Sequence, residues 1–171
     1  MMERIMIIGC GGAGKSTLAR QLGEKTGLPV VHLDRIFWSP GNWQHLDKAE
    51  FDAILMAEAQ KDKWIIDGNY NRTLALRMER ADTIIYLDFS RWQCLAGWLK
   101  RVITNWGKAR PDMAMGCKEW FDPEFVGWIW RYNRDNRARN YELIAKYPHI
   151  TPIILKNRRQ VRKFLDGLTV Q

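Results

Sequence analysis

The chain has 171 residues, 46% hydrophobic and 27% charged, enough to fill one core and without a long polar tract. No apolar run approaches the ~18 residues that a bilayer span needs, which speaks against a membrane-embedded protein. Three cysteines without zinc spacing exclude a disulfide-built or zinc-built fold, and the first residues lack a signal-peptide layout, so a reducing cytoplasm is the expected compartment.

The formal charge of +8 is unevenly placed. Residues 1–90 hold 11 Lys+Arg against 12 Asp+Glu, and residues 91–171 hold 16 against 7, so the second half carries +9. A basic half suits a polyanion or a phosphate-rich ligand, or forms a solvated basic surface.

The pattern opens with Ile5, Met6, Ile7 and Ile8, a short apolar run expected as a buried strand. Gly9, Cys10, Gly11, Gly12, Ala13, Gly14, Lys15 and Ser16 follow and match G-x-x-x-x-G-K-[ST] without a departure. Thr17 leads into a helical pattern through Leu18, Leu22 and Lys25. Glycines let several backbone N–H groups turn toward one centre, and the first helical turn adds unpaired N–H groups and the positive end of its dipole. Gly9, Gly11, Gly12, Ala13, Gly14, Lys15, Ser16 and Thr17 are therefore candidate ATP-binding residues. In this arrangement Lys15 reaches the outer phosphates and the Ser16 hydroxyl ligates Mg²⁺. The motif asks nothing of Cys10.

Residues 29–33, rich in β-branched side chains, read as the second strand, with Asp34 at its carboxyl end. Ligands collect outside the carboxyl ends of strands in an open parallel sheet, so Asp34 is a candidate contact to a phosphoryl acceptor, as base or as orienting group; a helix cap is the alternative. Phe37, Trp38 and Trp43 surround the turn signal Ser39-Pro40-Gly41-Asn42 and serve either an acceptor pocket or the core. Asp47 and Glu50 resemble a capping box before a helix over 48–60. Trp64 to Asp67 then reads as a buried strand, and Gly68 lets the chain turn sharply. An acid in that place suits a water-bridged hold on Mg²⁺, and Arg72 follows near the expected acceptor or phosphate.

Residues 83–87 are a further strand, whose trailing Asp88 rivals Asp67 for the metal-supporting role. Trp92, Leu95, Leu99, Val102 and Ile103 predict an amphipathic helix over 91–104 that carries Arg101. The basic stretch that follows, broken by Gly107, Pro111 and Gly116, reads as a mobile lid over about 105–122. A long helix is expected over 123–147. Its Arg131, Arg134 and Arg137 recur every third residue and share one face, suited to stabilising charge on a moving phosphoryl group or to facing solvent. Residues 150–155 form the last strand, at an edge because of Pro152, and a short helix closes a single domain of residues 1–171.

Together these stretches resemble the P-loop small kinases of the adenylate-kinase and shikimate-kinase group. More narrowly, Ile5 to Thr17, His32 to Trp38, Trp64 to Tyr70 and Arg110 to Met113 are similar to the bacterial topology modulation proteins, which are adenylate-kinase-related. The resemblance implies an α/β P-loop NTPase fold: a five-stranded parallel sheet of order 2-3-1-4-5, helices on both faces and an arginine-bearing lid. It also implies ATP and Mg²⁺. Adenylate kinases carry Asp-Gly-Phe-Pro-Arg after the third strand, whereas this chain has Asp67-Gly68-Asn69-Tyr70-Asn71-Arg72, a departure at the acceptor side.

Two functions are expected from these features. The first is phosphoryl transfer from ATP to a small molecule. Lys15 holds phosphate, Ser16 and Asp67 serve the metal, Asp34 meets the acceptor, and Arg101, Arg131, Arg134 or Arg137 neutralises the moving charge. The second is a nucleic-acid-binding protein in which the nucleotide is structural or a switch, supported by the basic half but by no helix-turn-helix, zinc or RNA-binding signature.

Overall fold

The computed structural model describes residues 2–38 and 44–168. Trp43 and the turn at 39–42 lie outside the described residues. Five parallel strands, β1 (Arg4–Gly9), β2 (Val30–His32), β3 (Trp64–Asp67), β4 (Thr83–Leu87) and β5 (Thr151–Leu155), form one sheet of order β2-β3-β1-β4-β5. The helices are α1 (Lys15–Thr26), α2 (Leu33–Phe37), α3 (Lys48–Ala59), α4 (Leu74–Arg80), α5 (Arg91–Asn105), α6 (Pro123–Ala145) and α7 (Arg158–Asp166), with a 3₁₀ turn at Asn71–Thr73.

The apolar run of β1 follows from its place in the centre of the sheet. Ile5 and Ile7 point into one core with Leu18, Leu22, Trp98, Val102 and Ile129, while Met6 and Ile8 point into a second with Phe51, Leu55, Trp64 and Met78. A strand covered on both faces has no polar alternation, and each such side chain contributes roughly 1.5–3 kcal/mol by leaving water. Pro152 does lie on the edge strand, paired with Ile84, where its missing N–H disturbs no second neighbour.

Two local expectations change. β2 ends at His32, so Asp34 is not a strand-end residue but sits in the first turn of α2. Helix α4 went unread in the sequence because it is only seven residues long. Its apolar stripe of Leu74 and Met78 is interrupted by Arg77, which is nevertheless fully buried. The expected lid, residues 105–122, is tied in this conformation by local contacts. Bridges join Trp106 to Glu119 and Ala109 to Lys118, and Met113, Ala114 and Cys117 form a small cluster against Trp38.

Helix ends are set by side chains. Asp47 caps α3 by accepting from Ala49 N at 2.8 Å, Ser90 and Gln93 form a reciprocal capping box on α5, and Asp122 precedes Pro123 at the start of α6.

Candidate active site

The loop from Gly9 to Gly14 leaves the centre of the sheet and opens α1 at Lys15. Gly12 has φ 77°, and a Cβ there would lie 2.1 Å from the Cys94 carbonyl oxygen and 2.7 Å from the Trp98 amide. In return, a Cβ at Gly97 would lie 2.1 Å from the Gly12 carbonyl oxygen. The phosphate loop thus rests on the backbone of α5, and only two glycines permit that approach. Cys10 is a structural residue rather than an indifferent one: buried beside Cys94, it has a thiol pushed up by the Cys94 thiol and by burial. Its carbonyl accepts from Lys15 Nζ at 3.1 Å.

The chain after β3 is fixed differently. Asn69 clamps the start of the phosphate loop, accepting from Gly9 N at 3.0 Å and donating to Gly9 O at 2.9 Å. Arg77 reaches up from α4 and donates to Gly68 O at 2.8 Å and Asn69 O at 2.6 Å. Burial lowers its guanidinium to about 9. The held loop places Tyr70 at φ 31°, the one positive φ outside glycine among the described residues, and its hydroxyl donates to Asp34 Oδ1 at 2.8 Å. Burial, and then the neighbouring Asp67 carboxylate, raise Asp34 above the usual carboxylate range.

Both sides open on one cavity of about 570 Å³. Gly11, Gly12, Gly14, Lys15, Ser16 and Thr17 line it from the glycine-rich loop and the start of α1, and Asp34, Gly68, Asn69 and Tyr70 from the chain that follows β2 and β3. Gly9, Ala13 and Asp67 are not on its wall. Arg20, Lys100, Arg101, Arg110 and Arg158 bring further positive charge, with Phe125 and Trp128 as the apolar wall. Arg158 also donates to Gly12 O at 3.3 Å. Buried Glu119 bridges the lid to α5, taking Arg101 at 2.8 Å and Arg110 at 2.8 Å, while Arg110 also holds Asp112 at 2.6 Å.

Asp67 is buried at the end of β3, in register with Ile7 of β1 and His32 of β2, and its Oδ2 lies 3.0 Å from His32 Nδ1. Its Oδ1 is buried without a protein partner, so an acid with spare coordinating capacity stands beside the strand that feeds the phosphate loop. The donor set of Ser16 hydroxyl and Asp67 carboxylate is oxygen only, as Mg²⁺ prefers. No group of three or more His, Cys, Asp or Glu suited to a metal occurs among the described residues. The rival Asp88 likewise has a buried Oδ1 without a protein partner, but its Oδ2 is held by two groups of α6, Arg137 at 2.8 Å and Tyr141 at 2.9 Å, where that of Asp67 meets only His32.

The arginine face does not converge on the cavity. Arg131, Arg134 and Arg137 are exposed and none lines it; Arg134 pairs with Asp135 and Arg137 with Asp88. The reason is geometric: α6 turns Phe125 and Trp128 to the cavity and buries Ile129 and Tyr132, which rolls the arginines outward. Arg72 likewise leaves the site to pair with Asp52 of α3. Arg101 is the arginine of the expected set that reaches the cavity.

No family model matches the chain. An adenylate kinase from Clavibacter michiganensis subsp. michiganensis is 24% identical over 110 residues, 63% of this chain and 53% of that protein, so the match spans about half the length of that relative. Among solved structures, shikimate kinase from Acinetobacter baumannii in complex with shikimate superposes with a TM-score of 0.54 at 15% identity, covering 97% of this chain and 90% of that one. An unliganded sugar kinase from Janibacter sp. gives 0.52 at 15%, covering 99% and 96%. The five-stranded parallel sheet of order 2-3-1-4-5, entered through the glycine-rich loop of its central strand, is the P-loop kinase fold.

Proposed function

We propose that this protein is an ATP-dependent phosphotransferase that moves a γ-phosphoryl group to a hydroxyl of a small molecule. The observation that carries it is the sharing of one cavity by the phosphate loop and Asp34. The loop amides and Lys15 hold the phosphates, and Lys15 acts on charge that grows during transfer. Ser16 would ligate Mg²⁺ with Asp67 supporting it through water; bound there, the ion neutralises phosphate charge. Tyr70 fixes Asp34 by one oxygen and leaves the other to orient the acceptor hydroxyl and take its proton. Arg101 of α5 and Arg110 of the lid, held together by Glu119, face the transferring group.

The adenylate kinase likeness and the fold support this reading. The narrower likeness to topology modulation proteins rests on the quoted motifs alone. The nucleic-acid reading rests on the basic half, and with Arg134 and Arg137 already paired to acids it has less free charge than the sequence count offers.

The test is acceptor-dependent ADP release across nucleoside monophosphates, sugars and hydroxy acids, for wild type and Asp34→Asn. The variant is expected to lose about 10²-fold in acceptor-dependent turnover while binding ATP as before. Equal loss of ATP affinity would move Asp34 to the nucleotide or metal site, and an unchanged rate would remove its role.

A further inference from the structure

The outer face of α5 carries an apolar stripe. Trp92, Ala96, Leu99 and Ile103 of α5, with Trp106 at its C-terminal cap, recur at alternating spacings of four and three, the a/d rhythm of a helix that packs against another helix. Yet these residues are exposed: Trp92 66%, Leu99 48%, Ile103 68% and Trp106 62%. The buried face of the same helix is a different set, Cys94, Trp98 and Val102. Trp92 also meets Trp130 of α6 edge-on at 5.1 Å, which widens the patch across two helices.

The area is large for a surface left to water. With these exposures the stripe and Trp130 present roughly 600 Å² of mostly apolar surface, at the top of the ~300–600 Å² that the largest patch of a monomer spans. A standard interface takes ~800 Å² from each partner. The apolar patch falls about 200 Å² short of that, so a dimer formed on it must also bury polar surface around its edge.

The sequence of the stripe identifies the partner. Trp92 and Trp106 stand seven residues before and seven after Leu99, so the stripe is nearly palindromic. A two-fold axis through Leu99 lays α5 against its own copy antiparallel, with Trp92 opposite Trp106 at both ends. Small Ala96 then lies close to large Ile103 of the other copy. The stripe itself has no charged side chain; Arg91 lies over Trp130 at one end of the patch, 4.8 Å from the ring centroid, and no acidic side chain belongs to the stripe. We propose that the protein self-associates through the outer face of α5, as an isologous two-fold dimer of antiparallel α5 helices centred on Leu99. This proposal is independent of the phosphotransferase reading. Each copy carries +8, so the two repel at long range, and added salt strengthens the dimer by screening that repulsion.

Sedimentation equilibrium of the full chain is expected to give twice the monomer mass, with a Kd of about 10 µM or tighter, and a tighter dimer at raised salt. Leu99→Lys and Ile103→Lys, both at exposed positions, should give monomers with unchanged circular dichroism. The arrangement is tested by copper-phenanthroline oxidation. Leu99→Cys should cross-link to itself. Trp92→Cys and Trp106→Cys should each cross-link poorly alone but efficiently when mixed. A monomer at all concentrations, a dimer that survives Leu99→Lys, or cross-linking of Trp92→Cys with itself would overturn the proposal. So would a wild-type monomer that binds phosphatidylcholine vesicles through the stripe, which would assign it to a lipid surface.

Discussion

The two loops that meet in the cavity leave adjacent strands and are built on opposite principles. The phosphate loop is shaped by side chains it lacks: Gly12 and Gly97 bring two backbones together. The loop after β3 is shaped by a side chain that comes from elsewhere, Arg77, which ties down its carbonyls from below. A loop made of backbone tolerates little change anywhere along its length. A loop held by one anchor concentrates its dependence on that anchor, and the residues it displays are free to be chosen for the ligand.

The sharpest separation of the two comes from Lys15→Ala. Turnover should fall by about 10²-fold or more, because the lysine acts on the phosphates, while the melting temperature should change little, since its tie to the loop is one hydrogen bond to Cys10 O. A variant that turns over normally would break the assignment. Arg77→Ala should do the reverse to its own loop. Leaving the carbonyls of Gly68 and Asn69 without their donor is expected to cost about 3 kcal/mol or more of stability, read from urea unfolding. Arg77→Lys should restore only part, since one ammonium does not span both carbonyls. An undiminished midpoint in Arg77→Ala would mean that the loop stands without its anchor.

Smaller effects sharpen the display side. Tyr70→Phe removes one hydrogen bond to Asp34, so acceptor-dependent turnover should drop roughly 5–10-fold with ATP affinity unchanged. The smallest expected change is one of stability. Because the folded-state pKa of Asp34 is raised, the stability linked to its protonated form is present at low pH and lost as pH rises through that value. At neutral pH Asp34→Asn should therefore melt higher, by on the order of a few degrees. The gain should vanish below the unfolded carboxylate pKa of about 3.9. A lower melting temperature at pH 7 would show that the charged carboxylate is stabilising.

The phosphate loop was legible because its chemistry constrains consecutive residues: spacing from Gly9 to Ser16 is enough to read it. The strand order came from the resemblance, and the structure has the same order. Arg77 had a signal that went unused, a charge at the third place of an otherwise apolar stripe with Leu74 and Met78. Asn69 and Glu119 had none, since Gly9 lies 60 residues from Asn69 and Arg101 lies 18 from Glu119, and nothing local marks either pairing. Arg158 is one of several cations near the C-terminal helix, and only the fold returns it to Gly12. The arginines of α6 misled for the converse reason. Periodicity told that they share a face, while the packing of Ile129 and Tyr132 decided which way that face points.

Helix α5 carries a further consequence for how this protein tolerates change. Around one circumference it presents Gly97 to the phosphate loop, Lys100, Arg101 and Thr104 to the cavity, Cys94, Trp98 and Val102 to the core, and Leu99 and Ile103 outward. Most surface helices offer one permissive side, and saturation mutagenesis records it as a wave of tolerance with the helical period. Here the wave should be strongly damped if the outward side is also occupied by a partner, and should reappear at Leu99 and Ile103 if it is not. A substitution map of these 15 residues would therefore read the helix's occupancy directly from the survival of its variants.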